Sequence, residues 1–261
     1  MQCNHYDGAA RALFVADSHF RVRRDAAEQR RFERFVDLLD RFAGIGEVIL
    51  LGDIFDFWFD YPHFQMKGFE PLLAALDRVR EAGSRIHFVG GNHDIWAAGY
   101  LHRRLGTEPA AGPLTLVFDG CRVHCLHGDG LLGRDFFYRG FRRLVRHPAG
   151  VWLAKSLHPE LLFSLSTWLS GTSRQCPRDE VAEIERKVAR WLAAQRNPAW
   201  DLLIVGHIHH RYTATCGGRS LICLGGWLDD LNYGLWRDGR FEHCRFATAD
   251  GEPELLRKDS S

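Results

Sequence analysis

The 261-residue chain lacks any apolar run long enough to cross a bilayer. Its most apolar stretch, Val151 to Leu169, is interrupted by Lys155, His158, Pro159 and Glu160. The opening residues, MQCNHYDGAARALFVAD, also lack the basic stretch and apolar core of an export signal, so a cytoplasmic protein is expected. An excess of one charge is missing too. The 34 Lys and Arg face 33 Asp and Glu, a balance that gives no reason to expect nucleic acid as a partner. The seven cysteines (Cys3, Cys121, Cys125, Cys176, Cys216, Cys223 and Cys244) have no C-x-x-C spacing and mostly stand in apolar segments. Reduced, buried, small hydrophobes are expected rather than a disulfide framework. Internal repeats and low-complexity stretches are absent. With 46% apolar residues, the length suits one sizeable core, either a large domain or a domain with an insertion.

Short apolar runs ending in polar loops recur at Ala12–Ala16, Val48–Leu51, Arg85–Val89, Leu114–Phe118, Cys121–Leu126, Leu202–Val205 and Ser220–Leu224, and these read as strands, several buried on both faces. Two helical stripes separate the first three: Phe32, Phe35, Val36, Leu39 and Phe42, then Phe69, Leu72, Leu73, Leu76 and Val79. Later the pattern turns hairpin-like, with Arg211–Cys216, Ser220–Leu224 and Phe241–Arg245 separated by Gly-Gly or Asp-Gly turns. The expected architecture is α/β, two packed sheets with helices outside. Residues 1–130 and 198–261 form its core. Residues 131–197 carry helical periodicity, with Val181, Ile184, Val188, Trp191 and Leu192 on one face, and read as a helical insertion.

Fourteen histidines are the unusual abundance, and several stand beside Gly and Asp just past a strand. Five signatures follow in order: Asp17-Ser18-His19, Gly52-Asp53-Ile54-Phe55-Asp56, Gly91-Asn92-His93-Asp94, His127-Gly128-Asp129 and Gly206-His207-Ile208-His209. Each alone is common; five together at strand ends are not. Attack on a phosphate ester or anhydride brings a nucleophile towards a centre ringed by negative oxygens. Two divalent ions about 3.5–4 Å apart screen that charge and acidify a shared water, and a carboxylate must bridge them. Four His, two Asp and one Asn make a mixed nitrogen and oxygen shell that suits Mn²⁺ or another transition ion over Mg²⁺ or Ca²⁺.

These residues resemble the calcineurin-like metallophosphoesterase superfamily, with its pattern D-x-H, GDxxD, GNH[DE], a later His and GHxH. The resemblance implies a two-sheet αββα sandwich and a pair of divalent ions. Asp17, His19 and His209 would hold one ion, Asn92, His127 and His207 the other, and Asp53 would bridge them. His93 would face the phosphate, oriented by Asp94, while Asp56 and Asp129 would hydrogen-bond around the ligands.

A narrower resemblance, to the UDP-2,3-diacylglucosamine pyrophosphatases of lipid A synthesis, rests on Gly52-Asp-Ile-Phe-Asp-Phe-Trp-Phe59, Lys67-Gly-Phe69, Gly91-Asn-His-Asp-Ile-Trp96, His127-Gly-Asp-Gly130, His158-Pro159 and Leu224-Gly-Gly-Trp227. It implies cleavage of a lipid-linked UDP-sugar at the α phosphorus, giving UMP and a diacylglucosamine phosphate, with the insertion as a lid over the acyl chains. Two other functions remain open beside it. The same centre would serve a phosphodiesterase or phosphatase for a soluble nucleotide. A silent metal-binding scaffold would keep the fold, although the full ligand set argues against it.

The aromatic run Phe55, Phe57, Trp58, Phe59 and Tyr61 suits either an acyl pocket or the core. Between Arg134 and Lys155, six basic residues face one acid, Asp135, among Phe136, Phe137, Tyr138, Phe141 and Trp152. Such a basic amphipathic segment suits peripheral contact with the inner face of a membrane, and a solvated helix face is its plainer reading.

Overall fold

A computed structural model describes residues 10–60, 66–94, 96–107, 112–132, 156, 181–196, 198–246 and 254–255. Strands β1 (Ala10–Val15), β2 (Glu47–Leu50) and β3 (Arg85–Phe88) run parallel as neighbours. Successive side chains of a strand point to opposite faces, and both faces are largely apolar, apart from the cluster of Glu47, Arg85 and His87 at the start of β2 and on β3. Leu13, Val15, Val48, Leu50, Ile86 and Phe88 pack outward with helices α1 (Ala26–Arg41), α2 (Glu70–Glu81) and α3 (Ala97–Leu105). Ala12, Phe14, Ala16, Ile49, Leu51 and Val89 pack inward on a second sheet. The Asp25 carboxylate starts α1 by accepting from Ala27 and Glu28 N–H, both at 2.9 Å. Pro71 in the first turn of α2 removes a donor that has no helical partner there.

The second sheet holds β4 (Leu114–Phe118), β5 (Cys121–Leu126), β6 (Leu202–Val205), β7 (Tyr212–Cys216) and β8 (Arg219–Cys223), in the order β4-β5-β6-β8-β7. Its three central strands are parallel, and β4 and β7 are antiparallel edges. Leu202, Ile204, Ile222 and Leu224 face the first sheet. Leu203, Val205, Leu221 and Cys223 face helix α4 (Val181–Ala193), whose Val188 and Leu192 are buried against them. The layers are thus helix, sheet, sheet, helix. Helix α4 falls within the segment that the sequence reads as an insertion, yet its apolar face covers the second sheet. Most of the rest of 131–197, with the basic stretch from Arg134 to Lys155, lies outside the described residues.

Several elements were not expected from the sequence, helix α3 among them. Strand β9 (Asn232–Arg237) lies antiparallel beside β1 and pairs with β10 (Arg240–Arg245), giving the first sheet the order β11-β10-β9-β1-β2-β3 with β11 (Glu254–Leu255) at its edge. Helix α5 (Trp227–Asp230) is a single turn before β9. The aromatic run resolves mainly into core: Phe55, Trp58 and Phe59 are buried, with Trp58 stacked on Phe69 and Phe55 edge-on to it, while Tyr61 is outside the described residues. The cysteine expectation fails at Cys216, which is exposed where β7 enters its Gly-Gly turn, whereas Cys125, Cys223 and Cys244 are buried. Among the described residues no helix is long and apolar enough to cross a membrane.

Candidate metal centre

Strands β1, β2, β3, β5 and β6 all finish at one end of the sandwich, where open α/β sheets place their sites. The five signatures occupy the loops directly after them. Backbone hydrogen bonds zip these loops together: Asp17 N to Gly52 O at 3.1 Å, His19 N to Asp53 O at 2.9 Å and Phe20 N to Ile54 O at 3.0 Å. The turns are sharp. Asp17, His19, Asp53 and His207 have φ of 52°, 47°, 52° and 59°, the left-handed region that only Gly, Asn, Asp and His visit at small cost. Gly91 lets the loops approach, because a Cβ there would lie 2.1 Å from Asp53 Oδ1.

All seven candidate ligands converge. Asp17, His19 and His209 bring ligand atoms within 4.8 Å of one another, and so do Asp53, His127 and His207. Asp53 also joins His19 and His93 in a third such group, so its carboxylate stands between the other two. Asn92 Oδ1 lies 3.1 Å from His127 Nε2. Backbone donors fix both carboxylates. His207 N–H points at Asp17 Oδ2 at 2.9 Å, and His93 N–H donates to Asp53 Oδ1 at 2.9 Å. His127 donates Nδ1–H to Leu51 O at 2.8 Å, which turns Nε2 to the centre.

His93 and Asp94 part company with the sequence expectation. The Asp94 carboxylate accepts from the N–H groups of Asp53, Ile54, Phe55 and Gly91 at 3.1, 2.7, 3.2 and 3.0 Å. It braces the loop that carries Asp53. The ring of His93 is instead tied through Nδ1 to the Asp56 carbonyl at 2.9 Å, with Asp56 Oδ1 at 3.8 Å. Residues adjacent in a tight loop project in different directions, so the carboxylate that the resemblance gave to His93 serves backbone donors, and a main-chain carbonyl holds the ring.

The charges are unusually concentrated. Burial pushes the Asp17 carboxyl above its ordinary value despite His127 and His209. Burial acts the same way on Asp53, but His127, His19 and His93 outweigh it and hold that carboxyl well below the usual range. Burial and the Asp53 charge lift Asp94 to about 6. For His127, burial opposes protonation and Asp53 overcomes it, raising the imidazole to about 10; burial and His127 push His207 down to about 4.

These features test whether cations fit. Among the described residues, the ion-pair partners of Asp17 and Asp53 are histidines only, so no Lys or Arg neutralises two wholly buried carboxylates. His127 Nε2 faces two oxygens, Asn92 Oδ1 at 3.1 Å and Asp53 Oδ2 at 3.2 Å, a position that demands a proton or a cation. His19 Nε2 faces His209 Nε2 at 3.3 Å, a pair of ring nitrogens that a shared proton or a cation would join. The donor set is mixed nitrogen and oxygen, suited to Mn²⁺, Fe²⁺, Co²⁺ or Zn²⁺. A cavity of about 230 Å³ opens beside it, lined by Val89, Gly90, Pro113, Leu126, His127 and Asp129 among others.

A model of the calcineurin-like phosphoesterase family matches residues 10–211. The chain belongs to that family. The family implies divalent metal ions, and the chain is a metal-dependent hydrolase. Among curated proteins it is similar to the UDP-2,3-diacylglucosamine hydrolase of Azotobacter vinelandii, 32% identical over 82% of this chain and 90% of that protein. It is also similar to the UDP-2,3-diacylglucosamine hydrolase of Porphyromonas gingivalis, 27% identical over 87% of this chain and 94% of that one.

One residue at the centre escaped the sequence reading. Asp229, on α5, accepts from His209 Nδ1 at 2.8 Å. Its only signal was a pair of acids, Asp229-Asp230, shortly after the Gly-Gly-Trp that closes a strand.

Proposed function

We propose that the chain hydrolyses the pyrophosphate bond of UDP-2,3-diacylglucosamine at the α phosphorus, releasing UMP and 2,3-diacylglucosamine 1-phosphate. The observation that carries this reading is the meeting of seven ligand-type side chains at one end of a sandwich that is 32% identical to a protein of that activity. Asp17, His19 and His209 would hold one divalent ion, Asn92, His127 and His207 a second, and Asp53 both, with Mn²⁺ suited to the donor set. When bound, such ions supply positive charge to the phosphate oxygens and make water more acidic. Asp94 keeps the Asp53 loop in register by gathering four N–H groups. His93, with Nδ1 engaged by Asp56, stands beside His19 at a ring separation of 4.8 Å, where it can meet phosphate oxygens. The departing phosphate monoester is already a good leaving group, so charge stabilisation by His93 suffices and full proton transfer is unnecessary.

The insertion, residues 131–197, would receive the acyl chains, and its basic amphipathic stretch from Arg134 to Lys155 would rest on the inner face of a membrane as a peripheral contact. The test incubates purified protein and Mn²⁺ with UDP-2,3-diacylglucosamine, with UDP-sugars lacking acyl chains, and with an artificial phosphodiester. UMP release from the acylated compound, sensitive to detergent or vesicles, is expected. Turnover of the artificial ester with none of the acylated compound would replace this reading with a soluble phosphodiester substrate.

A further inference from the structure

We propose that Asp229 is a positioning residue for the metal ligand His209, and that Gly226 is glycine to leave room for their bond. This inference rests on the reading of His209 as a ligand. Asp229 has a 43% exposed side chain, and an exposed carboxylate near a histidine is ordinarily a weak surface pair. Three observations set this one apart.

First, the helix that carries it is anchored to a neighbouring ligand loop. Trp227 N–H donates to Ala16 O at 3.1 Å and Leu228 N–H to Asp17 O at 3.0 Å, so α5 is registered on the loop that presents Asp17. The Trp227 side chain, wholly buried against Phe35 and Phe246, donates Nε1–H to Arg31 O at 3.2 Å and locks the turn from the other side. Asp229 is therefore held by a fixed element rather than by its own side-chain preferences.

Second, the bond decides the histidine's chemistry. A carboxylate only accepts, so His209 carries a proton on Nδ1 and directs Nε2 at His19 Nε2 (3.3 Å) and Asp17 Oδ1 (3.9 Å). Nε2 is thereby the nitrogen offered to the group formed by Asp17, His19 and His209. A partner of this kind fixes the ring's tautomer and angle and raises its basicity towards a metal.

Third, the backbone is shaped around the pair. A Cβ on Gly226 would sit 2.7 Å from Asp229 Oδ2, 3.3 Å from His209 Nδ1 and 3.3 Å from Asp17 O. Gly226 has a φ of −91°, open to any residue, so its conformation does not require glycine. The space does.

The experiment titrates the metal-free full chain with Mn²⁺ by calorimetry, comparing Asp229→Ala, Asp229→Asn, Gly226→Ala and His209→Ala, with Asp230→Asn as a control on the same turn. Asp229→Ala is expected to weaken one of two ions by about 10–100-fold and leave the other at parental affinity. Gly226→Ala should weaken the same ion. Asp229→Asn should lose less, since its amide oxygen still accepts from Nδ1–H, and Asp230→Asn should match the parent. Urea midpoints of the metal-free Asp229 variants should equal the parent's. Parental affinity for both ions in Asp229→Ala, or equal weakening of both with a lowered midpoint, overturns the proposal. His209→Ala separates the two failures. If it loses one ion while Asp229→Ala keeps both, only the positioning role falls; if it keeps both, the ligand reading falls as well.

Discussion

Replacing Gly91 by alanine probes the centre through its backbone while leaving every candidate ligand in place. The added Cβ would lie 2.1 Å from Asp53 Oδ1, 2.5 Å from Asp53 N and 2.8 Å from Asp53 Cγ. Relief requires a shift of about 1.3 Å, the gap between 2.1 Å and an ordinary contact of 3.4 Å. The Gly91 side cannot easily retreat, because its N–H is held by Asp94 Oδ1 at 3.0 Å. Asp53 is the part that moves, and it also loses the bond from His93 N. Metal–ligand distances tolerate only about 0.2 Å. A carboxylate shared by two ions cannot absorb a displacement several times larger, so Gly91→Ala should weaken both ions by about 100-fold or more, beyond the loss of an outer hydrogen bond. The assay is calorimetric titration of the metal-free protein with Mn²⁺, with circular dichroism to verify the fold. Gly112→Ala, whose Cβ meets nothing within 4 Å, is the control. A folded Gly91→Ala protein that binds two ions with parental affinity would refute the placement of Asp53 between them.

Asp94→Ala strands four buried N–H groups, each costing about 1–3 kcal/mol when unsatisfied, offset partly because burial already disfavours the ionised carboxylate. A net loss of about 3–5 kcal/mol in urea denaturation of the metal-free protein is expected, and a loss under about 1 kcal/mol would contradict the bracing role. Burial and Arg211 lower the His243 imidazole from 6.5 to about 4. A depressed histidine leaves the unfolded chain binding more protons, so its share of stability is complete above pH 6.5 and is lost as pH falls towards 4. Between neutrality and about pH 5 the parent should lose about 2 kcal/mol more than His243→Gln; parallel pH profiles would show that His243 does not titrate this way. His93→Ala should cut turnover of an alkyl phosphodiester by about 100-fold or more, the usual weight of a general acid, and that of the anhydride by much less. Steady-state rates on the two substrates decide it, and equal losses would rule out a purely electrostatic role.

The five signatures could be read in sequence because each follows a short apolar strand, three of them (β1, β2 and β6) buried on nearly every residue, and the apolar run then gives way to Gly, Asp, Asn and His. Strand β9 could not. Its Asn232-Tyr-Gly-Leu-Trp-Arg237 is buried almost throughout, so no alternation announces it, and Gly234 looks like a break. The packing explains that glycine: a Cβ at 234 would fall 2.3 Å from the Phe241 ring. The Asp94 and Asp229 roles were hidden for opposite reasons. Asp94 sits next to the histidine it was expected to serve but turns to backbone donors. Asp229 lies 20 residues from the histidine it contacts, in a turn that reads as solvated surface.

The left-handed turns at Asp17, His19, Asp53 and His207 constrain any attempt to engineer a different metal preference. Exchanging one of these side chains for Glu or Cys would force an ordinary residue into a conformation costing roughly 1–2 kcal/mol, before any gain in coordination. Asn92, His127 and His209 have no such backbone, so soft donors are better introduced there. If these side chains are ligands, the main chain has reserved four of the seven positions for aspartate, asparagine and histidine, and left three open to substitution.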